Sequence, residues 1–262
     1  MKLLKKRFKN IDLDHSDTTI LHAEIIKTNP FLKYWYLKQY NKYKTLIADN
    51  TNGLHIELGA GGGFLKETTP LIKTSSILKS DKENGLVDLT LNAETLDLEN
   101  NSVDSFFMLD VFHHLKNPKK FLSEANRCLK KNGVILMIEP TNTIFSRILY
   151  KKFHHELFDE KARDWNNDAK GHLSSSNQAL GYIVFERDKD IFKNEFPNLN
   201  LIQIKKHTFF QYILSCGLSY EPLLSEKSES LKNKIVDYLE TIASPLTNLL
   251  STYMDIYIKK TL

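Results

Sequence analysis

Leu54-His55-Ile56-Glu57-Leu58-Gly59-Ala60-Gly61-Gly62-Gly63 is the stretch that decides the fold. It opens as a short apolar run, the pattern of a buried strand, and passes directly into four glycines within five positions. Glycine carries no Cβ and accepts positive φ, so a strand can turn sharply there and its backbone can lie close to a ligand. Residues 64–72 then read as helix, which makes the bend a strand-to-helix junction.

Downstream the alternation repeats. Residues 76–80 read as a second strand ending at Asp81, a weak strand falls near 86–91, and residues 105–109 form a strand ending at Asp110. Residues 118–131 read as helix, with Pro118 in its first turn, Phe121, Leu122, Ala125 and Leu129 on its apolar face and Gly133 beyond its end. Residues 134–138 are wholly apolar, as in a strand covered on both faces. After a polar block at 141–198 come a strand at 199–204, a helix at 227–242 with Leu231, Ile235, Leu239 and Ile242 on one face, and a last strand at 253–258. This rhythm predicts an α/β fold: a Rossmann-like, seven-stranded, mostly parallel sheet with helices on both faces. Helices over 17–49, broken at Pro30, precede it, with an aromatic stripe (Phe31, Tyr34, Trp35, Tyr40) read as core. The division is a helical segment at 1–50 and a main domain at 51–262. Block 141–198 is expected as a lid or substrate insertion after the fifth strand, over the carboxyl ends where such sheets bind ligands.

Bulk properties narrow the classes. The net charge is +4, too small a surplus to suggest a nucleic-acid surface. Lys2, Lys5, Lys6, Arg7 and Lys9, interleaved with Leu3, Leu4 and Phe8, read as a solvated terminus or as a peripheral contact with anionic lipid. Residues 209–224 are too polar for a membrane span and read as core or lid. Two distant cysteines make no disulfide framework, and the expected home is the cytoplasm.

A dinucleotide fingerprint, G-x-G-x-x-G, fits the bend poorly: counted from Gly59 its sixth position is Phe64, and counted from Gly61 it is Lys66. The pattern acid-x-Gly-x-Gly-x-Gly fits at Glu57, Gly59, Gly61 and Gly63. In this the chain resembles class I methyltransferases that use S-adenosylmethionine (SAM). Leu109-Asp110-Val111-Phe112-His113-His114-Leu115 is similar to a segment of their type-11, quinone-biosynthesis-like group. The resemblance runs from about 54 to 140. His154-His155-Glu156-Leu157-Phe158-Asp159 and the run 183–188 extend it to a subgroup of bacterial methyltransferase-like proteins.

The resemblance implies that SAM lies against Glu57, Leu58, Gly59, Ala60, Gly61 and Gly63, with Glu57 helping to hold the ammonium. Asp81 would accept the ribose hydroxyls, with Ser80 and Glu83 as fallbacks. Asn92 and Ala93 would edge the adenine, and Asp110 and Val111 would lie beside donor and acceptor. Among His113, His114, His154, His155 and His172, His114 is favoured as a general base, against a purely structural role for a histidine at a strand end. No metal is expected, because His154 and His155 as neighbours on a helix would point apart. The expected acceptor is a small molecule, a saccharide or a lipid-linked molecule, methylated at oxygen. The alternatives are a silent SAM-binding protein and, less well matched, a nicotinamide enzyme. Gly59→Val is expected to abolish SAM binding and leave the fold largely intact.

Overall fold

The computed structural model describes residues 14–15, 17–154, 156–167, 171, 176–218, 220 and 229–262. The basic cluster from Lys2 to Lys9, His155, His172 and part of the 209–224 stretch lie outside these residues.

Two helices come first, α1 (Asp17–Thr28) and α2 (Pro30–Ile47). Asn29 separates them: its side chain accepts from the Leu32 N–H, and Pro30 occupies the first helical position, where a missing N–H costs nothing. The alternating body follows: β1 (His55–Glu57), α3 (Leu65–Thr68), β2 (Ile72–Ser76), α4 (Lys79–Glu83), β3 (Leu89–Thr90), β4 (Val103–Leu109), α5 (Pro118–Cys128) and β5 (Leu129–Pro140). Beyond it lie α6 (Ile144–Phe153), α7 (Leu180–Tyr182) running into a π-helical turn (Ile183–Arg187), α8 (Lys189–Glu195), β6 (Leu199–His207), α9 (Phe210–Ser215), α10 (Glu229–Ile242), α11 (Thr247–Leu250) and β7 (Tyr253–Lys260).

The seven strands form one sheet in the order β3-β2-β1-β4-β5-β7-β6. β1 to β5 are parallel, and β7 enters antiparallel between β5 and β6. From β1 the chain steps outward to β2 and β3, then crosses back to β4 on the other side. The carboxyl ends of β1 and β4 therefore flank the point where the winding reverses, the place where open α/β sheets hold ligands.

Each face of the sheet has its own core. On one, Trp35, Tyr40, Tyr43 and Ile47 of α2 pack with Phe64, Phe107, Ile138 and Tyr253. On the other, Phe121, Leu122 and Ala125 of α5 pack with Phe106, Met137, Ile183, Phe185 and Phe192. The N-terminal helices are thus one layer of the domain. The 141–198 block divides: Leu180, Ile183, Val184, Phe185 and Phe192 are fully buried and cover the sheet, so this part is core rather than lid.

Three sequence expectations are corrected. The helix after the glycines is a single turn, because β2 already begins at Ile72. β2 ends at Ser76, so Asp81 lies in α4 instead of at a strand end. On α10, Ile235, Leu239 and Ile242 are exposed and Val236 is buried. The inward side of that helix is set by polar contacts: Asp237 accepts from Tyr34 and Lys38, and Glu240 accepts the backbone N–H groups of Phe209 and Gln211.

Candidate active site

The bend after β1 is a tight cradle. Gly59 and Gly61 have φ of +68° and +50°, the left-handed region that L side chains avoid. A Cβ on Gly59 would stand 2.6 Å from Cγ1 of Val111, so the bend is pressed against the segment after β4. A Cβ on Gly61 would meet only the Gly59 carbonyl, at 3.6 Å, so this glycine faces open space. At Gly62 a Cβ would collide with the backbone of Ala23, which places α1 directly on the bend. At Gly63 it would strike the Tyr40 hydroxyl, which accepts from the Phe64 N–H at 3.0 Å. The Leu58 and Ala60 N–H groups are tied to Phe107 and Ser75 of the neighbouring strands. The Gly59→Val expectation is therefore revised: valine there would clash with Val111 and be held at a hostile φ, damaging the fold as well as the site.

Two acids, Glu57 buried and Asp110 half-buried, stand at the ends of β1 and β4 beside this cradle. Glu57 is 2% exposed, and its Oε2 has no hydrogen-bond partner among the described residues. Burial pushes its carboxyl up to about 8. Asp110 takes a left-handed φ of +57°, and its Oδ2 accepts from the Tyr253 hydroxyl at 3.0 Å. Its Oδ1 is buried with no hydrogen-bond partner among the described residues. Burial, opposed by His113 and reinforced by Glu139, brings its carboxyl up to about 7. Unmet acceptor atoms in a dry site are costly until a donor or cation arrives.

Asp81 is 1% exposed and accepts a short hydrogen bond from Ser76 Oγ, the last residue of β2. Ser76 Oγ also accepts from the Leu78 N–H at 3.1 Å. Asp81 thus meets the strand end through a serine. Asn92 is exposed, and its Oδ1 accepts from the Glu94 N–H at 2.9 Å, while Ala93 is buried beneath the same turn.

Beside Asp110 the chain makes a 3-10 turn, Phe112–His114, whose N-terminus is held by Glu139 at the end of β5. Glu139 Oε1 accepts from the Val111 and Phe112 N–H groups at 2.9 and 2.8 Å, and Oε2 lies 2.7 Å from His113 Nδ1. On the other side of His113, Nε2 is 3.3 Å from Glu156 Oε2, and His114 Nε2 is 3.7 Å from Glu156 Oε1. Gln178 donates to Glu156 at 2.9 Å, and His154 Nδ1 stands 3.9 Å from the same carboxylate. Burial works against charge on His113, yet Glu139 and Glu156 push it well above its ordinary value. Burial likewise works to raise Glu156, but the hydrogen bond from His113 and the charges of His114 and His154 hold it well below the carboxylate range.

The structure thus gathers Glu57, the glycines, Asp110 and Val111 at the carboxyl ends of the adjacent central strands β1 and β4, with His114 in the adjoining polar cluster. Sequence reasoning missed Tyr40, Tyr253, Glu139 and Glu156 as members of this region. Glu139 carried a legible signal, since it ends an apolar strand as Glu57 does. Tyr253 carried none, because its pairing with Asp110 spans 143 residues.

The donor set fits SAM. Gly61 opens a space against main chain, and two desolvated carboxylates with unmet oxygens suit an ammonium and its neighbouring groups. Residues 68–137 match a family described as "Methyltransferase domain", the type-11 methyltransferase family. An uncharacterized protein of Methanocaldococcus jannaschii is 24% identical over 159 residues, covering 59% of this chain and 76% of its own. A SAM-dependent methyltransferase of Thermotoga maritima superposes with a TM-score of 0.50 at 18% identity, covering 91% of this chain and 99% of that one. Geranyl diphosphate C-methyltransferase of Streptomyces coelicolor, in complex with S-adenosyl-L-homocysteine, gives 0.49 at 12% identity, covering 95% and 88%.

Proposed function

We propose that the chain acts as a class I SAM-dependent methyltransferase of the type-11 group and methylates an oxygen of a small-molecule, saccharide or lipid-linked acceptor. The observation that carries the oxygen assignment is the buried His113–His114–Glu139–Glu156 cluster at the end of β4. A hydroxyl must lose its proton as the new bond forms, whereas an amine attacks through its lone pair, so base-capable groups at this position favour oxygen.

SAM supplies an electrophilic methyl on a sulfonium. The protein's own residues supply position and proton handling. Glu57 Oε2 takes the ammonium, with main chain at Leu58, Gly59, Ala60 and Gly61 lying along the methionine portion and Gly63 closing the turn. Asp81 acts on the ribose together with Ser76. Asn92 and Ala93 edge the adenine, and Val111 flanks the donor. Asp110, fixed by Tyr253, faces the reacting region. Alignment of this kind is worth about 7–11 kcal/mol of a barrier. His114, partly exposed beside the buried His113, takes the acceptor's proton, and a positioned base adds about 10²–10⁴-fold.

The test is transfer of labelled methyl from SAM to a panel of hydroxyl, amine and thiol acceptors, each matched for size. Ether products from wild type, with His114→Ala reduced by at least tenfold at unchanged SAM affinity, are expected. Amine acceptors turning over with hydroxyls inert would defeat the oxygen assignment.

A further inference from the structure

We infer that His113, His114 and Glu156 form a binding site for one divalent transition-metal cation at the end of β4. The ligating atoms of the three residues all lie within 4.8 Å of one another. Two of the separations are 3.3 Å (His113 Nε2 to Glu156 Oε2) and 3.7 Å (His114 Nε2 to Glu156 Oε1). Donors bound to zinc at about 2.1 Å in a tetrahedral site stand roughly 3.4 Å apart, so the group needs only small side-chain rotations to close on an ion.

Three further features belong to a metal centre. First, Glu139 lies on Nδ1 of His113 and is itself fixed by two backbone N–H groups. A carboxylate on the remote nitrogen sets the tautomer that turns the Nε2 lone pair outward, the usual support for a ligating histidine. Second, the two histidines are sequence neighbours yet converge: their rings lie 4.2 Å apart with their planes tilted by 38°. Third, His113 lies between two carboxylates, Glu139 at 2.7 Å from Nδ1 and Glu156 at 3.3 Å from Nε2, so the open side of its ring already faces an anionic oxygen donor. Two imidazoles and one carboxylate select a borderline cation such as zinc, cobalt or iron(II) over magnesium or calcium.

The binding of the cation stands on geometry alone. Its use rests on the oxygen reading above: with the cation bound, His114 would be a ligand, and an acceptor hydroxyl held on the cation would be acidic enough to pass its proton to solvent water before the methyl is transferred. The test takes untagged protein, stripped with chelator and titrated with CoCl2, read by visible absorption and metal analysis. One Co²⁺ per chain is expected, with the intense bands of a four- or five-coordinate site, displaced by ZnSO4. Glu156→Gln, nearly isosteric, should weaken Co²⁺ by at least 100-fold, and Glu139→Gln, which acts on the cation through His113 and keeps an oxygen for the Val111 and Phe112 N–H groups, by about 10–100-fold. Circular dichroism of each variant checks the fold. Co²⁺ uptake below a tenth of an equivalent, or equal uptake by wild type and Glu156→Gln, overturns the site. Full oxygen methylation by stripped protein would remove the cation's role and leave the oxygen reading standing. Tight Co²⁺ binding without ether products would do the reverse.

Discussion

Replacing Glu57 by glutamine should separate the cost of a buried carboxylate from its use. Burial raises the Glu57 carboxyl from 4.5 to about 8. Between these values the unfolded chain has lost the proton and the folded chain keeps it, so stability falls as pH rises from 4.5 and levels off above 8. The distance from 4.5 to about 8 corresponds to roughly 5 kcal/mol. Glu57→Gln removes the titration. It should therefore be more stable than wild type by several kcal/mol at pH 8.5 and by about 1 kcal/mol or less near pH 5. Urea unfolding of the ligand-free protein at the two pH values measures this. The same substitution should weaken SAM, since the ammonium loses its counter-charge, a loss of about 1.5–3 kcal/mol or roughly 10- to 150-fold in affinity. Proton linkage gives the sharper reading. At pH 7 a group titrating at about 8 is roughly nine-tenths protonated, so Glu57→Gln should release about 0.9 proton fewer than wild type on binding SAM. Calorimetry in buffers of different ionisation enthalpy counts that proton. Equal pH slopes of stability in the two proteins, with equal proton release, would refute the reasoning.

Gly61→Ala has space for its Cβ but a left-handed φ, so it should cost about 1–2 kcal/mol in stability and lower SAM affinity more than tenfold; unchanged SAM binding by calorimetry would move the cradle elsewhere. Tyr253→Phe frees Asp110 Oδ2 and should lower turnover about three- to tenfold, with melting temperature shifted by only a few degrees. Away from the site, Asp255 accepts from Lys42 and lies 2.9 Å from His207 Nε2, and its carboxyl, despite burial, is pulled down to about 2. That depressed value contributes stability present above pH 4 and lost as pH falls toward 2. Asp255→Asn should cost about 2–3 kcal/mol at pH 7 in urea unfolding and flatten the acid limb of the stability profile.

The alternation of elements was legible because each buried strand of a parallel sheet is a local apolar run, and each glycine bend is a local break. Val134 to Ile138 and the bend at Gly59 needed no partner to be recognised. The ends of elements were less legible. Nothing local says that β2 stops at Ser76, because pairing with β1 and β3, not propensity, sets its length. The inner face of α10 was read wrongly for a related reason: Asp237 and Glu240 are drawn inward by Tyr34, Lys38 and two backbone N–H groups far away in sequence.

What the chain determines by itself is the order of strands and helices, the glycine-dense turn and the acids that end β1 and β4, since these are properties of contiguous residues. Tertiary structure alone decided that Glu139 from β5 and Glu156 from beyond α6 close on His113 from opposite sides, and that Tyr253 reaches Asp110. Those contacts join residues 26 to 143 positions apart with His154 and Gln178 at the margin, and side-chain chemistry at such range depends on how the sheet is ordered and not on any periodicity.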